Sequence, residues 1–238
     1  MSSPADLHVP INPVEHRSLR VLGTPDSALG DQVMSCPALP IEFRRLQNEF
    51  PILFQRNVES GAFEALALMG FEEGENLFFE KGRWTARYRP LVLAVQPFLI
   101  GRSRNPDEPS HIHINLDHPR VGDSEGTLLF DGGGHPTPYL QNVAAMLDHL
   151  DVGLHESAGF FEALERYQLL EPFALDITLD DGTDQRLVGY HLINEDRLRE
   201  LEPGVIAELH REGHLMPIFM ALASLSNMPA LVARKKRR

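Results

Sequence analysis

One cysteine, one tryptophan and a shortage of positive charge set the first limits on this chain of 238 residues. Cys36 alone forms neither an intrachain disulfide nor a multi-thiolate zinc site. Its neighbours Ser35 and Pro37 supply no base, so it reads as a small structural thiol of a reducing compartment. The 22 Lys and Arg face 34 Asp and Glu, a net charge of -12. Such a balance repels a nucleic-acid backbone, and no nucleic-acid partner is expected. The first ten residues hold Asp6, His8 and two prolines but neither a basic start nor an apolar centre. No signal peptide is therefore expected, and the localisation it predicts is cytoplasmic. No repeat of solenoid period, G-x-S-x-G elbow, P-loop or dinucleotide fingerprint occurs.

Long uncharged runs are scarce too. Leu215 to Ala233 is the exception, and it leads into Arg234, Lys235, Lys236, Arg237 and Arg238. At about 1.5 Å per residue such a helix would just reach across the ~30 Å hydrocarbon layer. Pro217, Ser224, Ser226, Asn227 and Pro229 dilute it, however, and Leu215, Ile218, Phe219, Leu222 and Leu225 follow one helix face. That periodicity predicts a packed amphipathic helix and no transmembrane segment. The basic end reads as a solvated tail favourable at a helix C-terminus, or as a holder for an anionic partner or membrane surface.

What is present is ordinary globular material, 42% hydrophobic and 24% charged, enough for a sizeable core. The expected organisation is an extended arm over residues 1–40 without helix, one body over 41–233, and a basic tail over 234–238. Ile41 to Phe50 predicts a short amphipathic helix and Pro51 to Gln55 a strand, whereas Ser60 to Met69 reads as helix or turn before Gly70. Asn76–Phe79 and Trp84–Tyr88 flank Glu80, Lys81 and Gly82 as a hairpin. Leu91 to Val95, His111 to Asn115 and Leu128 to Phe130 read as further strands. Tyr139–Leu150 and Phe160–Leu170 predict two adjacent helices. Ala174–Leu179 and Arg186–Ile193 form a second hairpin about Asp180, Asp181, Gly182 and Thr183. Asn194 caps the helix that follows. The sum is an α+β fold, an antiparallel sheet built from hairpins and packed with several helices in a single domain.

Eleven histidines invite a test for metal sites. On a strand His111 and His113 project to one face, and Asp117 on the following turn could complete an iron site. His149 with Asp151 and His210 with Glu212 match the His-x-carboxylate half of a non-haem iron centre. Composition alone yields about 1.6 such pairs, however, against the two found. Gly132 to Gly134 before His135 outline an anion cradle, better explained as a tight turn. Glu75, Asn76, Trp84, Arg87, Tyr88 and Arg89 mix aromatic and polar groups suited to ligand or peptide recognition.

An ordered series of short motifs runs through most of the chain. It includes Pro51, Ile52 and Phe54; Gly74 to Phe78 with Gly82 and Trp84; Pro97 and Phe98; and Pro119, Arg120 and Val121. Gly126 with Leu129 to Asp131, Leu170 to Pro172, Asp181 with Gly182, Leu187 with Gly189, the Glu195–Leu201 segment, and Ser224, Leu225 and Asn227 continue it. In that order they resemble the bacterial SapC family over roughly residues 10 to 235. The resemblance implies a surface-layer association and genes neighbouring tryptophan-halogenase-like and outer-membrane-receptor genes, and it supplies no catalytic motif. His111 and His113 lie outside the matching set.

Three readings follow. The first is an accessory or ligand-binding protein of a peptide-modification, uptake or surface-layer pathway, with a protein or peptide partner and Asn76, Trp84, Tyr88 and Arg120 at its site. The second is a metal-dependent enzyme, an Fe(II)/2-oxoglutarate oxygenase acting through His111, His113 and Asp117. The third is a structural surface-layer component. Homo-oligomerisation stays open.

Overall fold

The computed structural model describes residues 8–101, 111–179 and 182–237. The first seven residues, Asp180 and Asp181 of the hairpin turn, and Arg238 of the basic end lie outside them. In chain order the elements are β1 (His8–Pro10), β2 (Arg20–Val21), β3 (Ser35–Ala38), α1 (Phe43–Leu46), β4 (Ile52–Arg56), β5 (Phe63–Leu68), β6 (Phe79–Glu80) and β7 (Arg83–Trp84). There follow α2 (Leu91–Ala94), β8 (Phe98–Gly101), β9 (His111–Asn115), β10 (Val121–Gly122), β11 (Thr127–Leu128) and α3 (Pro138–Arg166). The chain then runs through β12 (Leu170–Thr178), β13 (Asp184–Ile193), α4 (Glu195–Arg199), α5 (Pro203–Arg211), α6 (Leu215–Ser224), one 3-10 turn (Leu225–Asn227) and α7 (Met228–Lys236). Every pairing among the described strands is antiparallel, as the α+β reading requires.

Two compact units share these elements, one comprising Met1–Asp31 with Leu91–Val152 and the other Gln32–Pro90 with Gly153–Arg238. In the first, β9 lies between β1 and β8, and β2 between β10 and β11. The first forty residues are thus woven into sheets, and Ser27–Leu29 makes a 3-10 turn capped by the Asp26 carboxylate where no helix was expected. Leu91 to Ala94, read as strand, is helical, and the strand lies just beyond it at Phe98. Of the stripe expected on α3, Leu140, Val143, Leu147 and Leu150 are buried and Met146 is half-buried.

In the second unit a five-stranded sheet has the order β12-β13-β4-β5-β3. Ser60–Met69 proves to hold a strand, not a helix. Ala65, Leu66, Ala67 and Leu68 are all buried, because β5 sits inside the sheet and both its faces are covered, which erases the alternation that marks a half-exposed strand. The β6–β7 hairpin is shorter than predicted, and its loop residues Lys81 and Gly82 both have positive φ, 51° and 74°, as a tight primed turn demands. Leu179 and Thr183 close the β12–β13 hairpin with a 2.8 Å amide–carbonyl bond, and the Asn194 side chain accepts from the Arg197 amide at 2.8 Å.

The two helices expected within 139–170 form one helix, α3. Gly153 looks like a breaker in sequence but serves close packing. A Cβ there would stand 2.8 Å from Ile41 Cγ2 and 3.0 Å from Leu39 Cδ1.

The C-terminal helices turn a different face inward from the one the sequence suggests. Ile218, Ala221 and Ser224 are buried, while Phe219 is 54% exposed. The small side chains of Ala221 and Ser224 admit a close approach to β4, where Ser224 Oγ accepts from the Ile52 amide at 2.8 Å and donates to the Ala221 carbonyl at 2.5 Å. Farther on, Asn227 donates to the Gln47 carbonyl at 2.8 Å and Leu231 is buried. By length and composition alone Leu215–Lys236, with an 18-residue window of mean hydropathy 1.6, is long and apolar enough to cross a membrane.

Candidate functional site

The residues picked out in sequence divide between the two units and are occupied by internal bonds. Arg120 is wholly buried. Its Nη2 meets Asp31 Oδ2 at 2.5 Å, and Nη1 donates to the Leu22 and Thr24 carbonyls at 2.7 Å each. The guanidinium therefore ties the loop before Asp31 to the turn after β9. A ligand arriving from solvent does not meet it. His118 packs over Gly30 and accepts from the Arg120 amide through Nδ1 at 3.2 Å. Burial first, then the Arg120 charge, hold its pKa below the usual histidine value against the opposing pull of Asp31.

Asn76 is buried, its Oδ1 accepting from the Phe78 amide at 3.0 Å and its Nδ2 facing Met69 Sδ at 3.5 Å. Tyr88 donates its hydroxyl to buried Glu42 at 2.7 Å, with the Arg45 guanidinium 5.4 Å from its ring centre. Burial and the Glu42 charge push the Tyr88 hydroxyl pKa well above the ordinary phenol value. Burial pushes the Cys36 thiol up as well, with Glu42 adding to it, so this thiol stays protonated and inert. Trp84, like Tyr88, keeps part of its surface in water. Its ring lies 5.4 Å from Phe79, 6.1 Å from Phe78 and 6.3 Å from Phe50, an aromatic cluster that anchors the hairpin.

The metal reading fares no better. Among the described residues no three His, Cys, Asp or Glu side chains stand where one ion could bind them all. His111 and His113 do share β9, but the His113 imidazole lies across Gly101, where a Cβ would clash with it at 2.2 Å. Asp117 is turned into an Asx turn, its amide donating to Asn115 Oδ1 at 3.0 Å. The glycine loop is likewise filled from within. Asp131 Oδ1 accepts from the Gly133 and His135 amides at 2.8 and 2.9 Å, so a carboxylate of the chain takes the place an anion would hold. These bonds depress the Asp131 pKa, that from His135 most.

Among the concavities of the second unit, two exceed about 500 Å³. One, of about 510 Å³, is lined by Glu156, Ser157, Glu212 and His214. His214 Nε2 lies 3.5 Å from Glu212 Oε2, but Ser157 Oγ donates to the Leu154 carbonyl of its own helix at 3.0 Å, the usual bond of a helical serine rather than of a nucleophile. The other, of about 630 Å³, is an apolar groove between the β12–β13 face and the C-terminal helices. Phe173, Leu175 and Leu192 form its sheet wall, and Met228, Val232 and Ala233 its helical wall. Lys236, in the last turn of α7, is the one charged residue lining it. Volume and lining suit an organic ligand or an apolar side chain.

The basic end supplies the groove's electrostatics. Arg234 pairs with Glu80 at 3.0 Å over the Phe78 ring, and Lys235 bridges Glu72 and Glu75 at 2.8 Å each. Burial lowers the Lys235 pKa, but the bonds to Glu72 and Glu75 outweigh it and the net shift is upward. Lys236 makes no hydrogen bond or ion pair with the described residues.

The sequence profile described as SapC matches residues 11–231. The chain belongs to the SapC family. No curated protein and no solved structure is significantly similar to it. The match takes in the sheet wall and Leu225, Met228 and Pro229 of the helical wall, and stops before Val232, Ala233 and Lys236. Sequence reading passed over the groove. Its only signals are the alternation Phe173, Leu175, Ile177 and the spacing Leu225, Met228, Val232, each of which reads as plain core until the other is known to face it.

Proposed function

We propose that this SapC-family protein is a binding accessory of a bacterial peptide-modification, uptake or surface-layer pathway, acting in the cytoplasm on a peptide or protein partner. The apolar groove beside β12 carries this reading. It presents eight apolar side chains, from β12, β13 and the C-terminal helical segment, around one cation, the composition of a recognition cleft rather than of a reacting centre. The site moves away from the Asn76–Tyr88 hairpin and Arg120, whose polar groups are spent inside the protein. The family resemblance supports the accessory role.

Anisotropy titration of fluorescein-labelled peptide pools with Leu, Val or Phe at alternate positions tests it. Saturable binding is expected, weakened at least tenfold in Val232→Glu with an unchanged far-UV spectrum and melt. Binding unchanged in Val232→Glu but lost in Trp84→Phe would return the site to the hairpin and refute the groove.

A further inference from the structure

Beyond its groove, the five-stranded sheet offers an unpaired edge. β3 and β12 are its two outer strands. β3 is four residues long with Pro37 in its middle, a blunted edge. β12 runs for nine residues and among the described strands pairs only with β13, so its outer amides and carbonyls have no partner in them. Pro172 removes a donor near one end and leaves Phe173 to Thr178 as the usable stretch. Phe173 and Leu175, two residues apart on this edge strand, are also part of the groove's sheet wall. A chain laid along β12 would lie about 4.8 Å from it, and its alternate side chains would point the same way, into the groove.

We propose that the ligand is an extended peptide segment that adds to the sheet along β12, sets apolar side chains at alternate positions into the groove and pairs one carboxylate with Lys236. This rests on the groove being the binding site and specifies what it takes. Three observations carry it together. The edge is long and open, two of the sheet side chains facing the groove sit on that same edge strand, and Lys236 is a cation without a partner among the described residues while its neighbours Arg234 and Lys235 are neutralised by Glu80, Glu72 and Glu75. Backbone bonds along an edge give affinity without regard to sequence, whereas the pocket and the cation choose the side chains.

The probe is an octapeptide with alternating Thr and Val or Leu and one Asp near its end. It is made in two N-methylated forms, each blocking one alternate set of amides, and also with Asp replaced by Asn and with an amidated C-terminus. One N-methylated form is expected to lose at least tenfold in affinity and the other to bind as the parent, because only one edge of the peptide meets β12. Removing the responsible carboxylate costs roughly two- to fivefold in the wild type and nothing in Lys236→Met. The Asn and amide forms show whether a side chain or the terminus supplies that carboxylate. Equal tolerance of both N-methylated forms, with Val232→Glu still abolishing binding, overturns strand addition and leaves the groove standing. A carboxylate effect that survives in Lys236→Met overturns the charge pairing. Absence of saturable binding by the parent and by every peptide pool overturns both the inference and the groove.

Discussion

Removing either partner of the Arg120–Asp31 pair should unfold the first unit far more readily than removing both. Both side chains are 0% exposed, so neither charge is compensated by water. In Asp31→Asn the guanidinium keeps only the Leu22 and Thr24 carbonyls, and a buried unpaired charge of this kind costs about 3–5 kcal/mol. In Arg120→Met the carboxylate loses the guanidinium but keeps its bond from the Asp26 amide at 2.8 Å, and the Leu22 and Thr24 carbonyls lose that donor, so a loss of similar size is expected. The double variant Asp31→Leu with Arg120→Met buries no charge and leaves mainly the orphaned carbonyls, at about 1–3 kcal/mol each. It should therefore lose less than the sum of the singles, by about 2 kcal/mol or more. Urea unfolding at pH 7 followed by far-UV circular dichroism measures the cycle. Amide exchange at Leu22, which donates to the Arg120 carbonyl at 2.9 Å, reports the local opening. Singles costing under about 1 kcal/mol each, or an additive double variant, would refute the assignment of Arg120 as a buried strut.

The neighbouring His118 gives this region an acid sensitivity. Its folded pKa lies below the unfolded 6.5, so stability is full above pH 6.5 and falls as the pH drops toward the folded value; melts at pH 7.5 and 5.5 should differ less in His118→Gln. Tyr88 has the opposite sense. Its raised hydroxyl pKa contributes stability below the unfolded value of 10 that is lost at higher pH, and Tyr88→Phe should lower stability at neutral pH by about 1–3 kcal/mol in urea unfolding. Gly153→Ala gains about 1 kcal/mol of helix propensity but drives its Cβ against Ile41 and Leu39. A net loss of about 1–2 kcal/mol by thermal melt is expected, and a gain would show that those side chains yield freely. Ser224→Ala strips the Ile52 amide of its acceptor, with an expected cost of about 1–3 kcal/mol. Because the helical segment that forms one wall of the groove follows that bond, probe affinity for the groove should fall too. A lowered melt with unchanged affinity would separate the two.

Local chemistry made much of the fold legible. The Asn194 cap, the β6–β7 and β12–β13 turns and the alternation of His111 to Asn115 each need only a few adjacent residues to be recognised. Legibility failed where tertiary burial overrode local pattern. β5 is covered on both faces and so lost its alternation, and Gly153 is kept by two side chains more than a hundred residues away in sequence rather than by a helix end.

The same limit hid the groove, and it explains why Asn76, Tyr88 and Arg120, chosen by type, are held by bonds inside the protein. Asn76, Tyr88 and Arg120 stand out because a polar or aromatic group next to apolar neighbours suggests a ligand. Burial equally demands that such a group find a partner within the protein, and here each has done so. The groove is made instead mostly of aliphatic side chains, with Phe173 among them, which attract no notice singly. The C-terminal helical segment that forms one wall follows Ser224, whose hydroxyl bonds to the Ile52 amide of β4. With Ala221 and Ser224 inward, the larger Leu225, Met228 and Val232 are carried to the flank, where they face Phe173 and Leu175 across a gap instead of closing it. An apolar gap bordered by an open strand edge is costly to leave in water and cheap to fill with another strand, which is why binding is the function this arrangement supports.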